Sequence, residues 1–344
     1  MKRRMIINYI FFSLYVVLVL LTAFVGLRFV SVYFSDGSNQ ANQEIYDKYY
    51  VIISDNNQSS FWKSVYEGAY NYGLENNVYV EDLATGFSGD LSKEELMRIA
   101  IASNVDGILV SADDSKEMTA LIDEAASKGI PVVTLYNDAP NSKRISYVGV
   151  GSYNIGTEYG RQALSVAKSI YAENPDEQIN VVVLVDSVPS TDQMMVYSTL
   201  QESFEKDALS FRLNLDMVKI DTTNTFSVEE NIRDVFLSED VPDIIICLSE
   251  LDTTCVYQAV VDYNQVGKVN ILGYHDSVTI LQGIERGIIN SSIRIDTQQM
   301  GEYSVNALLE YDKAGFTNQY FTVDIDVINS YTVSAYMEDS ANGK

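Results

Sequence analysis

The chain is short of the residues on which most protein chemistry runs. Its 344 residues hold two cysteines, Cys247 and Cys255, and one histidine, His275. That set is too small for an ordinary four-ligand structural zinc site, and it excludes a scaffold held by disulfides. The two thiols read as small core hydrophobes. Proline numbers only 5 and the hydrophobic share is 47%, so the chain is neither a low-complexity polymer nor a disordered acidic tail. Bases are scarce as well. Against 48 Asp and Glu stand 23 Lys and Arg, a net charge of −25 that repels a phosphate backbone and argues against a nucleic-acid partner. There is no Gly-x-Ser-x-Gly elbow, no phosphate-binding loop and no His-Glu-x-x-His pair, so the reading is of a protein that is not an enzyme and carries no metal or cofactor.

What is present begins with a membrane device. Lys2, Arg3 and Arg4 precede Met5 to Leu27, 23 residues without a charge. At about 1.5 Å per residue that run crosses a hydrocarbon core of about 30 Å. The three bases outweigh Arg28 on the far side, which places the N-terminus in the cytoplasm and the rest outside. The apolar run exceeds the roughly 7 to 15 residues of a cleaved signal peptide, so residues 1–34 are expected to be an uncleaved signal-anchor of a single-pass membrane protein. Residues 1–34 hold four of the 23 bases and no acid, which leaves 19 bases against 48 acids beyond them, a charge of −29. Residues 35–48 are polar and mostly small, and read as a stalk.

From Tyr49 onward, apolar runs rich in β-branched residues alternate with segments of helical period. That alternation predicts an α/β fold with parallel sheets covered by helices. Strands are expected at Tyr49 to Ser54, Val78 to Leu83, Gly107 to Ser111 and Val132 to Tyr136, with a shorter extended piece at Ile145 to Val150. A second set follows at Ile179 to Val185, Arg212 to Ile220, Asp243 to Leu248, Asn270 to Tyr274 and Ser291 to Ile295. Two runs of about five strands, joined near residues 150–155, predict two Rossmann-like lobes rather than one closed barrel of eight units.

Ligands of open parallel sheets bind beyond the carboxyl ends of the strands, where loops converge and helix N-termini point their amides. The expected strand exits carry Asp55, Asn137 with Asp138, Asp186 with Ser187, Glu250 with Asp252, His275 with Asp276, and Asp296. The Asp, Asn and Ser residues among them are suited to capping the helices that follow, and for any one of them taken alone capping is the stronger reading. As a set they describe an acidic, amide-rich cleft, and such a cleft suits neutral polyols, whose hydroxyls both donate and accept. Phe61 and Trp62 open the first helix just past the first strand, where an aromatic face can stack on a sugar ring.

Three stretches carry a family resemblance: Phe61 to Ala69, Val105 to Ser111, and Gly129 to Leu135. Further along, Tyr147 to Val150 with Gly156, Ile271 to Asp276, and Ile295-Asp296 with Gly301 agree with them. Over residues 49–335 the chain resembles type I substrate-binding proteins of the ribose and galactose class, whose fold is shared with LacI-type effector domains. The resemblance implies two lobes, residues 49–152 with 296–322 and residues 153–295 with 323–338, joined by three hinge strands that close over a sugar. It also implies ligand contacts from Phe61, Trp62, Asn137, Asp138, Ser152, Glu250, Asp252, His275, Asp276 and Asp296. Relatives carry an arginine ahead of the second-lobe helix, whereas Met194 to Gln201 contains no base. The implied partner of such a protein is an ABC-type sugar permease in the membrane; the alternative is a sensor histidine kinase.

Overall fold

The computed structural model describes residue 22 and residues 46–342, apart from 88, 90, 177, 208, 210, 211 and 239. The expected signal-anchor over residues 1–34, residue 22 apart, and nearly all of the expected stalk lie outside the described residues. Among the described residues no helix is long and apolar enough to cross a membrane.

The alternation of apolar runs and amphipathic segments becomes β1 (Lys48–Ile53), α1 (Ser60–Glu75), β2 (Val78–Asp82), α2 (Lys93–Ser103), β3 (Gly107–Val110), α3 (Lys116–Ser127), β4 (Val132–Leu135) and β5 (Ser146–Gly149). It continues with α4 (Ser152–Glu173), β6 (Ile179–Asp186), α5 (Thr191–Glu205), β7 (Leu213–Ile220), α6 (Thr225–Leu237), β8 (Ile244–Ile246), α7 (Glu250–Asp262), β9 (Asn270–Tyr274), α8 (Val278–Glu285) and β10 (Ile289–Ile295). The last part is α9 (Thr297–Ala314), β11 (Tyr320–Thr322), β12 (Ile325–Asn329) and α10 (Val333–Asn342).

These strands make two six-stranded sheets, ordered β11-β5-β4-β3-β1-β2 and β12-β10-β9-β8-β6-β7. Every pairing in the first sheet is parallel. In the second, all are parallel except β10 with β12. Every residue of β3 and β4 is buried, because helices cover both faces, and this is why those strands, Thr134 apart, read as apolar runs without alternation. The chain passes between the sheets three times: from β5 to α4, from β10 to α9, and from β11 to β12.

Helix starts follow the expected capping chemistry. Ser59, Ser92, Ser115, Ser190, Asn224, Ser249 and Asp296 each accept a backbone N–H of the first turn that follows. The N-termini they fix all lie at the carboxyl ends of strands. In the first lobe α1 and α9 cross so closely that a Cβ built on Gly68 would stand 2.2 Å from the Gln298 carbonyl oxygen, and one on Gly301 2.2 Å from that of Val65. Only glycine at both positions permits this contact, and it locks the helix that carries Phe61 and Trp62 against the helix that Asp296 caps.

Candidate functional site

The carboxyl ends of the two sheets meet. Past β4, Tyr136 turns with φ 61°, and past β9, His275 turns with φ 71°. Both are left-handed conformations that ordinary side chains seldom adopt. The turns bring the Tyr136 hydroxyl within 3.4 Å of His275 Nε2, across the gap between the lobes. Phe61 packs against both, its centroid 5.0 Å from that of the tilted Tyr136 ring and, edge-on, 5.1 Å from that of the imidazole, and Trp62 backs it at 5.2 Å. Burial pulls the imidazole down to about 4, with the Asp276 charge opposing, so His275 is neutral near pH 7. Burial pushes the Tyr136 phenol up to about 12, so it stays a proton donor.

Beside this aromatic contact lies a cavity of about 320 Å³. From the first lobe come Tyr136, Asn137 and Tyr147, with Ser152 at the crossing where α4 begins; from the second come Asp186 at the end of β6, Ser190, Asp192 and Gln193 at the start of α5, and Ser249 and Tyr274 past β8 and on β9. The polar groups are held in place. Ser152 donates to Asp192 at 2.6 Å, and the Tyr147 hydroxyl donates to the Tyr136 carbonyl at 2.8 Å. Asn137 donates to Asp55 at 3.3 Å, and Asp55 in turn accepts from Ser111 and Lys93, each at 2.5 Å. Deeper in the second lobe, the buried Tyr159 hydroxyl lies 2.8 Å from the Cys247 carbonyl and 2.9 Å from that of Gly273, tying together the exits of β8 and β9. A second hollow of about 650 Å³ is lined by the first lobe alone, from Ser54 to Gln58 and around Phe87. The interlobe cavity is the candidate site, because both lobes contribute to it at their strand exits.

A family model described as a periplasmic binding protein domain matches residues 49–314. The chain belongs to this periplasmic binding protein family. Among curated relatives it is similar to the ABC transporter periplasmic-binding protein YphF of Escherichia coli, 24% identical over 70% of this chain and 73% of that one. Among solved structures it is similar to AraP, an arabinose binding protein from Geobacillus stearothermophilus, with a TM-score of 0.71 and 19% identity over 84% of this chain and 99% of that one. It is also similar to XylFII in a XylFII-LytSN complex, with a TM-score of 0.63 and 22% identity over 83% of this chain and 98% of that one. Like its relatives it is a binding protein and not an enzyme.

Within this periplasmic binding protein the residues expected to bind ligand fall into four groups. Asn137 and Ser152 line the interlobe cavity, and Phe61 and His275 meet beside it. Trp62 is 6% exposed and belongs to the core behind Phe61. Glu250 and Asp252 occupy the first turn of α7, whose cap Ser249 lines the cavity. Asp252 is only 5% exposed and its Oδ1 has no hydrogen-bond partner among the described residues. Burial, with a contribution from Asp186 and against the Ser249 hydroxyl, pushes its carboxyl up to about 6. The remaining three have structural partners: Asp138 pairs with Arg144 at 2.5 Å, Asp276 with Arg294 at 2.8 Å, and Asp296 caps α9. For Asp296 the capping alternative describes what the side chain does.

Several lining residues were not among the expected ligand contacts. Asp186 was recognisable as a strand exit, and Asn137's neighbour Tyr136 by adjacency. Ser190, Asp192 and Gln193 form an N-terminal capping segment, with Gln193 returning a bond to the Ser190 N–H at 3.2 Å, and nothing in the residues themselves separates a cap from a cavity wall. Tyr147 and Tyr274 lie on strands whose apolar pattern hid their hydroxyls.

Proposed function

We propose that this protein is an extracytoplasmic solute-binding protein that closes around a small carbohydrate and presents it to an ABC-type sugar permease. The observation that carries the reading is the interlobe cavity, walled from both sheets by amides, hydroxyls, carboxylates and tyrosine rings. Such groups bind hydroxyls in pairs and ring faces by contact. The names of YphF and AraP, a transporter component and an arabinose binder, support the same assignment. We take residues 49–152 with 296–322 and residues 153–295 with 323–338 as the two moving bodies, hinged at the three chain crossings. Residues 1–34 serve as a signal-anchor that holds the domain at the outer face of the cell membrane. Asn137, Ser152, Phe61, His275, Glu250 and Asp252 act from the cleft; Trp62 supports the stacking ring, and Asp138, Asp276 and Asp296 hold its walls.

The test uses Trp62, the sole tryptophan. Titrating the full-length chain in mild detergent with pentoses, hexoses and polyols is expected to give a saturable change in emission with at least one sugar, absent in Trp62→Phe. If neither emission nor thermal unfolding responds to any of them, the carbohydrate assignment fails.

A second reading has a specific observation behind it: the neighbour XylFII has been solved in complex with a second protein, LytSN. In that reading the closed lobes are reported to a sensor histidine kinase. Loss of sugar uptake in a strain lacking this chain favours transport; unchanged uptake with loss of a sugar-induced transcriptional response favours sensing.

A further inference from the structure

The cavity wall has an unbalanced charge. Among its lining residues there is no lysine, arginine or histidine, while Asp186 and Asp192 are both carboxylates. Asp192 accepts the Ser152 hydroxyl. No hydrogen bond or ion pair reaches the Asp186 carboxylate among the described residues. Behind it, Asp252 is 5% exposed with Oδ1 buried and unpartnered, beside the lining residue Ser249. The raised value of Asp252 reports the same situation, since its causes after burial include the charge of Asp186.

Closure of the lobes over a ligand strips water from these carboxylates, and what replaces the water must be rich in donors. A hydroxyl brings an acceptor with every donor, whereas an ammonium brings three donors, no acceptor and a compensating charge. The rings of Tyr136, Tyr147 and Tyr274 complete the fit, because a cation is attracted to aromatic faces as an anion is not. The chain's net charge of −25 adds a field of the same sign, concentrating cations at the mouth of the cleft.

We infer that the cavity selects an aminosugar in its protonated form over the neutral parent sugar, and that it rejects uronates and sugar phosphates. This rests on the carbohydrate reading above and adds the charge of the ligand.

The experiment is calorimetric titration of the full-length chain in detergent at pH 7. The probes are glucosamine, galactosamine and mannosamine, each beside its parent sugar and its N-acetyl derivative, together with glucuronate and putrescine. At least one free amine is expected to bind about tenfold more tightly than its parent and its N-acetyl derivative, the usual gain when a hydrogen bond becomes charge-assisted. Glucuronate is expected to give no heat. In Asp186→Asn, shown to be folded by thermal unfolding, the preference for the amine is expected to fall to within about twofold. A parent sugar binding as tightly as its amine overturns the charge inference and leaves the carbohydrate reading intact. Putrescine binding as tightly as any aminosugar overturns the carbohydrate reading and keeps the charge selection. Binding of none of the probes overturns both.

Discussion

Replacing Asp252 by asparagine separates two opposed titrations inside the second lobe. The Asp252 carboxyl moves from an ordinary value of 3.8 to about 6 in the folded chain. The folded state therefore holds this proton more firmly than the unfolded one, and stability falls as pH climbs from about 4 to 6. At about 1.36 kcal/mol per pH unit the loss comes to about 3 kcal/mol. His275 runs the other way. Its value drops from 6.5 to about 4, so the unfolded state takes the proton first, and stability falls as pH descends through that window. Being half-buried, it contributes about 2 to 3 kcal/mol.

Between pH 4 and 6 these two slopes nearly cancel in the native sequence. Asparagine keeps an oxygen that accepts a hydrogen bond and removes the proton, so Asp252→Asn exposes the His275 slope. The assay is urea unfolding of both proteins at half-unit steps from pH 4 to 7.5. The stability of the variant relative to the native chain is expected to rise by about 3 kcal/mol from pH 4 to pH 6.5. A relative stability that stays flat within about 0.5 kcal/mol, or that falls with pH, refutes the assignment of Asp252 as a carboxyl destabilised by burial.

Gly68→Ala is expected to cost about 3 kcal/mol or more in thermal unfolding, because its Cβ would meet the backbone of Gln298 and no rotamer relieves a backbone clash. Tyr159→Phe removes the hydroxyl shared by the Cys247 and Gly273 carbonyls, both buried, and is expected to cost about 1 to 3 kcal/mol in the same measurement. Phe61→Ala removes the ring that stands between Tyr136 and His275; sugar affinity is expected to fall roughly three- to tenfold by calorimetry, the measured range for one aromatic contact, while unfolding changes less.

Much of this architecture was legible because burial leaves its mark on sequence. Helices on both faces make β3 and β4 apolar runs without alternation, Thr134 apart, and the serines that cap α1, α2 and α3 stand where a capping residue must stand. Val65, Gly68, Ala69 and Tyr72 share one face of α1 by their spacing, and the first three are buried while Tyr72 is partly so. The end of the chain was harder to read. β11 has three residues, two of them exposed, and β12 carries a single fully buried residue, Ile328, so neither shows a period. β12 also departs from the parallel pattern of the rest, pairing antiparallel with β10 over its whole length. The site was legible by position and not by role. Asp138, Asp276 and Asp296 sit at strand exits as expected, but the partners that occupy the first two, Arg144 and Arg294, are six and eighteen residues away and invisible to local pattern. Asp186 is an exit of the same kind, but only the assembled cavity reveals that it carries no such partner among the described residues.

The two turns at Tyr136 and His275 hold the remaining information about how the site is built. β4 and β9 occupy the same place in the orders of their sheets, each third from the edge. Past each one the chain turns left-handed, and each turning residue donates its N–H to the next strand outward, Tyr136 to Val148 and His275 to Ile293. A non-glycine residue in that conformation costs about 1 to 3 kcal/mol, so the fold bears this strain twice, at equivalent points of two lobes of different sequence. What the strain accomplishes is the same in both: it turns a ring out of the sheet and into the gap. Because the Tyr136 hydroxyl then lies 3.4 Å from His275 Nε2 and the two rings share Phe61 between them, the lobes touch through the very side chains that flank the cavity. Contact at this point stabilises the approach of the lobes through groups that carry no charge, the imidazole being neutral and the phenol protonated. The charged groups of the cavity are thereby left for a ligand to satisfy, and closure without one leaves Asp186 and Asp252 uncompensated.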